Sequence, residues 1–204
     1  MFSIEARFDV DMARLDDSFH QMMRKVHPDR HSAGTDAERR RAVQWASAIN
    51  QAYTEIAQPL ARAKALCALA GEAIDPSRHS LGADFLARVL DWREQLEVLR
   101  ASVAEDRGAR AGVDHAAPAG LYALRDEVLG ERNALVQAFA ASAVARDPRH
   151  ASPEQARSAA HLVSQWMFAE RFIEELRQHR AALEEASQAQ AFAGLASRVQ
   201  VSSP

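Results

Sequence analysis

The residues able to do chemistry in this chain lie in one short run, Arg24-Lys25-Val26-His27-Pro28-Asp29-Arg30. Proline fixes its own φ and pushes the residue before it out of the helical region, so Pro28 ends a helix at His27 and holds the imidazole and the Asp29 carboxylate in a stiff turn. A carboxylate fixed in this way can accept a bidentate hydrogen-bond pair from a partner's arginine, and Arg24, Lys25 and Arg30 add a cationic end suited to an acidic partner surface. In this composition a His-Pro-Asp triplet arises by chance at roughly 2%, before it is also required to join two amphipathic helices. The chemistry is recognition, not bond-making. The plain alternative is that His27 caps carbonyls, Pro28 stops a helix and the basic residues are solvated.

Catalytic patterns are otherwise missing. There is no G-x-x-x-x-G-K-S/T, G-x-G-x-x-G, H-E-x-x-H, G-x-S-x-G or C-x-x-C. The single cysteine, Cys67, excludes an intrachain disulfide and an all-cysteine cage, and among Leu66, Ala68 and Leu69 it reads as a small buried apolar residue. His27 and His31 have a chelating spacing, but Pro28 breaks the helix that would align them, and neither His20, His79 nor His161 can be placed as a third ligand. No metal site and no cofactor are expected. Trp45, Trp92, Trp166 and Tyr53 are too dispersed for a base-stacking platform and read as core or interface.

The run must be held by helices. Asp11 stands at an N-cap, and Met12, Leu15, Phe19, Met22 and Val26 follow at spacings of three and four, giving a helix from Asp11 to Val26. After a polar break through Gly34, Thr35 or Asp36 caps a second helix to about Ala57, with Val43, Ala46, Ile49, Tyr53 and Ile56 on one face. These two make an antiparallel hairpin with the His-Pro-Asp turn in its loop. Pro59 suits the first turn of a third helix that Gly71 terminates.

Residues 72–82 carry Pro76, one His and two Ser without apolar period and read as a linker. Beyond them Phe85, Leu86, Val89, Leu90, Trp92, Leu96 and Leu99 mark a five-turn helix, Arg107 to Gly120 a flexible loop, and Leu121 to Ala145 and Pro153 to Gln190 two more helices. Ala160, Val163, Met167, Ile173, Leu176 and Leu183 form the buried stripe of the last. The expectation is an all-α chain: an N-terminal helical hairpin domain at 1–71, a linker at 72–82, a C-terminal three-helix bundle at 83–190, and a disordered tail at 191–204.

Composition agrees. The 204 residues are 48% hydrophobic and 26% charged, as in ordinary globular proteins, and carry only eight glycines and seven prolines. Alanine makes up about a fifth and Val, Ile and Thr together about a tenth, which disfavours a sheet-based enzyme fold. A net charge of −3 excludes a molecule-wide field for nucleic acid. No apolar run approaches a membrane span and the N-terminus lacks the pattern of a secretory signal, so a cytoplasmic protein without membrane association is expected.

With the His-Pro-Asp loop in a helical hairpin, the chain resembles the J-domain co-chaperones. Asn50-Gln51-Ala52-Tyr53 followed by Pro59-Leu60-Ala61-Arg62-Ala63 and Leu66 is similar to the I-N-x-A-Y/W and P-L-x-R-A-x-x-L patterns of the HscB family of bacterial iron–sulfur cluster assembly. Phe85-Leu86 with Trp92-Arg93-Glu94-Gln95-Leu96 resembles that family's F-L-M-E and L-R-E-x-L helix. The resemblance covers 2–99 with specific motifs and continues as a helix pattern to about Leu183.

The resemblance implies a J-domain in 1–71 whose His27, Pro28 and Asp29, with Arg24, Lys25 and Arg30 around them, contact a DnaK-type ATPase chaperone (HscA-like) and stimulate its hydrolysis. It further implies that Leu86, Leu90, Asp91 and Glu94, joined by Phe168, contact an IscU-like scaffold protein. Spacing is compatible: Leu86, Leu90 and Glu94 are each four apart and present two aliphatic anchors and an acidic rim on one side of a helix. Read without the family, Leu86, Leu90 and Phe168 are core, and Asp91 and Glu94 form a solvated face with Arg88 and Arg93.

The chain departs from the family pattern in three places. It starts Met1-Phe2-Ser3-Ile4 where the family opens with an aromatic pair and an L-F-G-L-like turn, which implies a shortened first helix or a true start farther upstream. Ala87 replaces a methionine, and Glu97 and Val98 stand at two positions that are acidic or basic in the family. The expected function is a non-catalytic adaptor. The rivals are a J-domain co-chaperone for other clients and a structural oligomerisation module with an accidental triplet. A metal-dependent bundle enzyme lacks the paired Glu-x-x-His pattern it needs.

Overall fold

The structure is a computed structural model that describes residues 2, 4–26, 35–75, 81–109 and 119–201. The described residues are mainly helical: α1 Met12–Val26, α2 Asp36–Ala57, α3 Pro59–Leu69, α4 Ala83–Ala109, α5 Ala119–Ala140, α6 Ala143–Arg146, a 3₁₀ turn at Pro148–His150, and α7 Pro153–Val201. No strand occurs among them. The chain divides into two compact units, one of Met1–Ser80 with Leu135–Ser164, the other of Leu81–Ala134 with Gln165–Pro204.

In the first unit the cap residues act as the sequence predicts. The Asp11 carboxylate accepts the Arg14 N–H at 3.1 Å at the start of α1. Thr35 and Glu38 close a capping box on α2, satisfying backbone donors that the helix cannot satisfy itself. Tyr53 Oη donates to Asp16 Oδ1 at 2.8 Å, and its ring lies 4.4 Å from that of Phe19. Asp16 near the start of α1 thus meets Tyr53 near the end of α2, while Lys25 and Val26 at the end of α1 share a groove with Glu38 and Arg41 at the start of α2. The pair is therefore antiparallel. Its core is Phe2, Leu15 and Ile49, extended by Phe19, Met22, Val26 and Ile56.

One face of α2 differs from its expected register. Val43 is 55% exposed and Ala42 is buried in its place, next to Ala46, which is buried as expected. Two alanines there let helices approach closely, and a valine one position on must face outward because a step of one residue turns the helix by about 100°. Arg62 then ties α3 to the hairpin. Its Nη1 donates to the carbonyls of Ile56 and, at 3.3 Å, Ala57 at the end of α2, and its guanidinium lies 5.0 Å from the Phe8 ring centroid. Phe8 in turn packs edge-on against Phe139 at 5.1 Å and donates its N–H to the Ala145 carbonyl at 2.7 Å. Gly71 ends α3 at φ 86°, a value that glycine adopts without penalty.

In the second unit α4, α5 and α7 bury Phe85, Val89, Trp92, Leu96, Leu124, Val128, Phe172 and Leu176. Trp92 is the hub. It stacks on Phe172 at 5.7 Å, meets Phe85 edge-on at 5.8 Å, and donates Nε1–H to Glu127 at 2.8 Å. Gln165 Nε2 donates to the Leu81 carbonyl at 2.7 Å, securing the approach to α4.

Three helix limits differ from the sequence expectation. α4 runs on to Ala109, past Leu99, through the alanine-rich stretch after it. The helix expected over Leu121 to Ala145 stops at Ala140, because the Ser142 side chain accepts the Ala145 N–H at 3.1 Å and so starts the separate α6. α7 continues to Val201, where a disordered tail is expected from 191; no proline interrupts it before Pro204. Residues 76–80 of the expected linker and 110–118 of the expected loop lie outside the described residues.

Candidate functional site

The two expected contact surfaces fall in different units. His27, Pro28, Asp29 and Arg30, and His31 with them, lie outside the described residues. The structure describes their helical support. α1 carries Arg24 and Lys25 in its last turn, where cations face the negative end of the helix dipole. Val26, the last residue of α1, is partly buried against the hairpin core. On the far side α2 resumes with a capped first turn, so both ends of the interrupted stretch are anchored on helix termini.

In the second unit α4 has two distinct faces. Phe85, Val89, Trp92 and Leu96 point inward, whereas Leu86 is 43% and Leu90 69% exposed. Neither leucine is core, contrary to the family-free reading of them. Asp91 and Glu94 are exposed beside them. Asp91 accepts from Gln95 Nε2 at 2.9 Å within the helix.

The arginines that share this solvated face in the family-free reading pair with other helices. Arg88 pairs with Glu131 of α5 at 2.9 Å and lies over the Phe85 ring at 5.8 Å. Arg93 pairs with Glu175 of α7 at 3.0 Å and lies over Phe172 at 5.3 Å. Arg100 reaches the same Glu175 at 3.3 Å. Each cation binds a neighbouring helix and leaves the Leu86–Leu90 side of α4 with exposed carboxylates.

Phe168, half-buried on α7, packs edge-on against Phe85 at 6.1 Å, one residue from Leu86. The structure therefore gathers four of the five expected scaffold-contact residues on one helix and attaches the fifth through an aromatic pair. Val98, one of the departures from the family's charged pattern, is 64% exposed two turns beyond Leu90, and Trp45, read from the sequence as core or interface, is 56% exposed. The signal for Val98 is its spacing of four from Glu94 and eight from Leu90.

Cys67 is buried, and desolvation, with the Glu72 charge adding to it, pushes its thiol up to about 12. Among the described residues no three His, Cys, Asp or Glu side chains converge to hold a metal ion. No helix among them is long and apolar enough to cross a membrane. Among the described residues α4 presents an apolar pair beside exposed carboxylates, and α1 ends in two cations.

Comparison with known proteins gives a consistent answer. No protein-family model matches the chain. A co-chaperone protein HscB homologue of Bordetella petrii is 32% identical over 183 residues, covering 89% of this chain and 95% of the relative. A further HscB homologue, of Burkholderia vietnamiensis, is 38% identical over 128 residues, 62% of this chain and 68% of the relative. Among solved structures the chaperone HscB of Vibrio cholerae superposes with a TM-score of 0.66 at 23% identity, covering 89% of this chain and 96% of that one. The human co-chaperone HscB superposes with 0.68 at 18% identity, covering 88% and 79%. The two structural likenesses establish the all-helical fold.

Proposed function

The chain belongs to the HscB family of co-chaperones, and from that premise we propose that it links an IscU-like iron–sulfur scaffold protein to a DnaK-type, HscA-like ATPase chaperone in the cytoplasm. In this reading 1–71 is the J-domain, joined through 72–82 to the scaffold-binding helices of 83–190. Leu86 and Leu90 bury their exposed carbons on the scaffold, Asp91 and Glu94 select a basic rim around it, and Phe168 completes the contact from α7. His27, Pro28 and Asp29, with Arg24, Lys25 and Arg30, engage the chaperone.

The mechanism is linkage. Holding two partners on one chain makes the second encounter intramolecular, at an effective concentration of order mM for short connections. Asp29 contributes to turnover only so far as it binds the hydrolysing, client-trapping state of the chaperone better than the resting state, because a contact equal in both shifts nothing. This chain itself breaks no bond.

The observation that carries the reading is the inversion of burial on α4. A helix whose inner face is packed around Trp92 leaves two leucines to solvent and sends both neighbouring arginines to other helices, an arrangement suited to an absent partner. The test is affinity capture with the immobilised chain, the retained proteins being identified by mass spectrometry. The intact chain is expected to retain both a DnaK-type chaperone and a scaffold. Asp29→Ala is expected to lose only the chaperone, and combined Leu86→Ala, Leu90→Ala and Phe168→Ala only the scaffold. Retention of both partners by either variant contradicts the assignment.

A further inference from the structure

A groove of about 330 Å³ lies in the first unit between the end of α1 and the first half of α2. Lys25, Val26, Glu38, Arg41, Ala42 and Trp45 line it. Val26 and Ala42 give an apolar floor. Trp45 supplies an aromatic wall that the fold does not use: it is 56% exposed, whereas Trp92 and Trp166 are 1% and 2% exposed. Arg41 precedes Trp45 by four residues, which sets guanidinium and indole on one side of α2.

The charge of the groove is lopsided. Its one acid, Glu38, is committed to the capping box, accepting from the Thr35 N–H at 2.7 Å and the Thr35 hydroxyl at 2.9 Å. Lys25 and Arg41, both exposed, line the groove, with exposed Arg40 next along α2. A cationic mouth over an apolar floor matches an apolar side chain flanked by carboxylates. It does not match a second copy of the chain across a two-fold axis, which would set Lys25 and Arg41 against cations of the same groove.

Continuity fixes the partner. Val26 lines the groove and is joined directly to His27, so whatever engages the His-Pro-Asp turn has this groove beside it. We propose that the groove receives an apolar residue flanked by carboxylates on the DnaK-type chaperone, with Trp45 as the aromatic anchor and Lys25 and Arg41 as the charged rim. The proposal rests on the co-chaperone reading and adds α2 to the surface through which it acts. Exposed tryptophans that enter partner pockets are characteristic of the few residues carrying most of an interface's affinity. Trp45 adds to the affinity that the Asp29 turn provides, while stimulation of hydrolysis depends on Asp29 itself.

The test is a titration of chaperone ATPase rate with the full chain and its variants. Trp45→Ala is expected to raise the concentration for half-maximal stimulation about tenfold while the maximal rate stays near that of the parent, and Trp45→Phe to recover most of the difference. Arg41→Glu is expected to shift the same quantity in the same direction. Because Trp45 is exposed, its replacement is expected to leave the urea midpoint unchanged. Independently, 5-fluorotryptophan incorporated into this chain is expected to give three fluorine resonances, of which the one absent in Trp45→Phe moves when unlabelled chaperone is added.

An intact chain that fails to stimulate the chaperone removes the co-chaperone reading itself. Stimulation by the intact chain with an unchanged half-maximal concentration in Trp45→Ala overturns the groove alone. So does self-association in sedimentation that Trp45→Ala abolishes while that concentration stays the same, which would hand the groove to a second copy.

Discussion

Truncating the two exposed leucines separates binding from folding in opposite orders. Each Leu→Ala change removes three carbons, worth about 2.4 kcal/mol if fully buried at about 0.8 kcal/mol per carbon. The part of each side chain already covered in the free protein counts toward stability, and the exposed part is what a partner can still cover. Leu90, 69% exposed, then costs about 0.7 kcal/mol of stability and up to about 1.7 kcal/mol of scaffold binding. Leu86, 43% exposed, costs about 1.4 and up to about 1.0 kcal/mol.

The rank order inverts between the two measurements, which a general loss of structure cannot produce. Together the changes are expected to weaken scaffold binding about a hundredfold. Calorimetric titration with the scaffold gives the binding column and urea denaturation the stability column, with Leu96→Ala, a core position 1% exposed, as a control expected to lose about 2–5 kcal/mol of stability. Leu90→Ala binding as tightly as the parent, or destabilising the fold more than Leu86→Ala does, refutes the assignment of this face.

Two other perturbations test the fold around the J-domain. Arg62→Ala leaves the final carbonyls of α2 without their donor and Phe8 without its covering guanidinium, and is expected to cost about 1–3 kcal/mol in urea denaturation; an unchanged midpoint would remove Arg62 as the link between α3 and the hairpin. The Cys67 thiol, pushed up to about 12, is expected to react with a disulfide reagent at pH 8 orders of magnitude more slowly in the folded chain than after denaturation, since only about one part in ten thousand is thiolate. Its reactivity is expected to rise with pH well beyond the range where an unfolded thiol has levelled off, and equal rates in the two states would contradict the burial.

How much of this was legible in the sequence depends on whether a feature is local. Caps and breakers are local, so Asp11, Thr35, Pro59 and Gly71 place the ends of α1, α2 and α3 correctly. The stop at Ala140 was missed because Ser142 reads as an ordinary helical residue until its side chain is seen to accept the Ala145 N–H. Periodicity also left the α2 face ambiguous: Ala42 and Val43 are both apolar, and only the presence of α1 decides which is covered.

The candidate surfaces divide in the same way. Spacing alone set Leu86, Leu90 and Glu94 on one side of a helix but could not tell core from surface. The decisive information is the buried ring of Trp92 on the other side and the destinations of Arg88 and Arg93 on α5 and α7, which are long-range facts. For Trp45 the sequence leaves core and interface open, since a large aromatic serves in either, and its 56% exposure excludes the core. The resemblance to the HscB family supplied the remainder, through motifs at the His-Pro-Asp triplet, the end of α2, the start of α3 and along α4.

The central claim is that a carboxylate on the Pro28 turn transmits the state of this chain to an ATPase. Steady-state hydrolysis by a DnaK-type chaperone of the HscA kind, measured with the intact chain and with Asp29→Ala at matched saturating concentrations, tests it most directly. The account predicts that the intact chain accelerates hydrolysis and that the folded variant, still binding the scaffold with parental affinity, leaves the rate at its basal value. Parental stimulation by Asp29→Ala would contradict it.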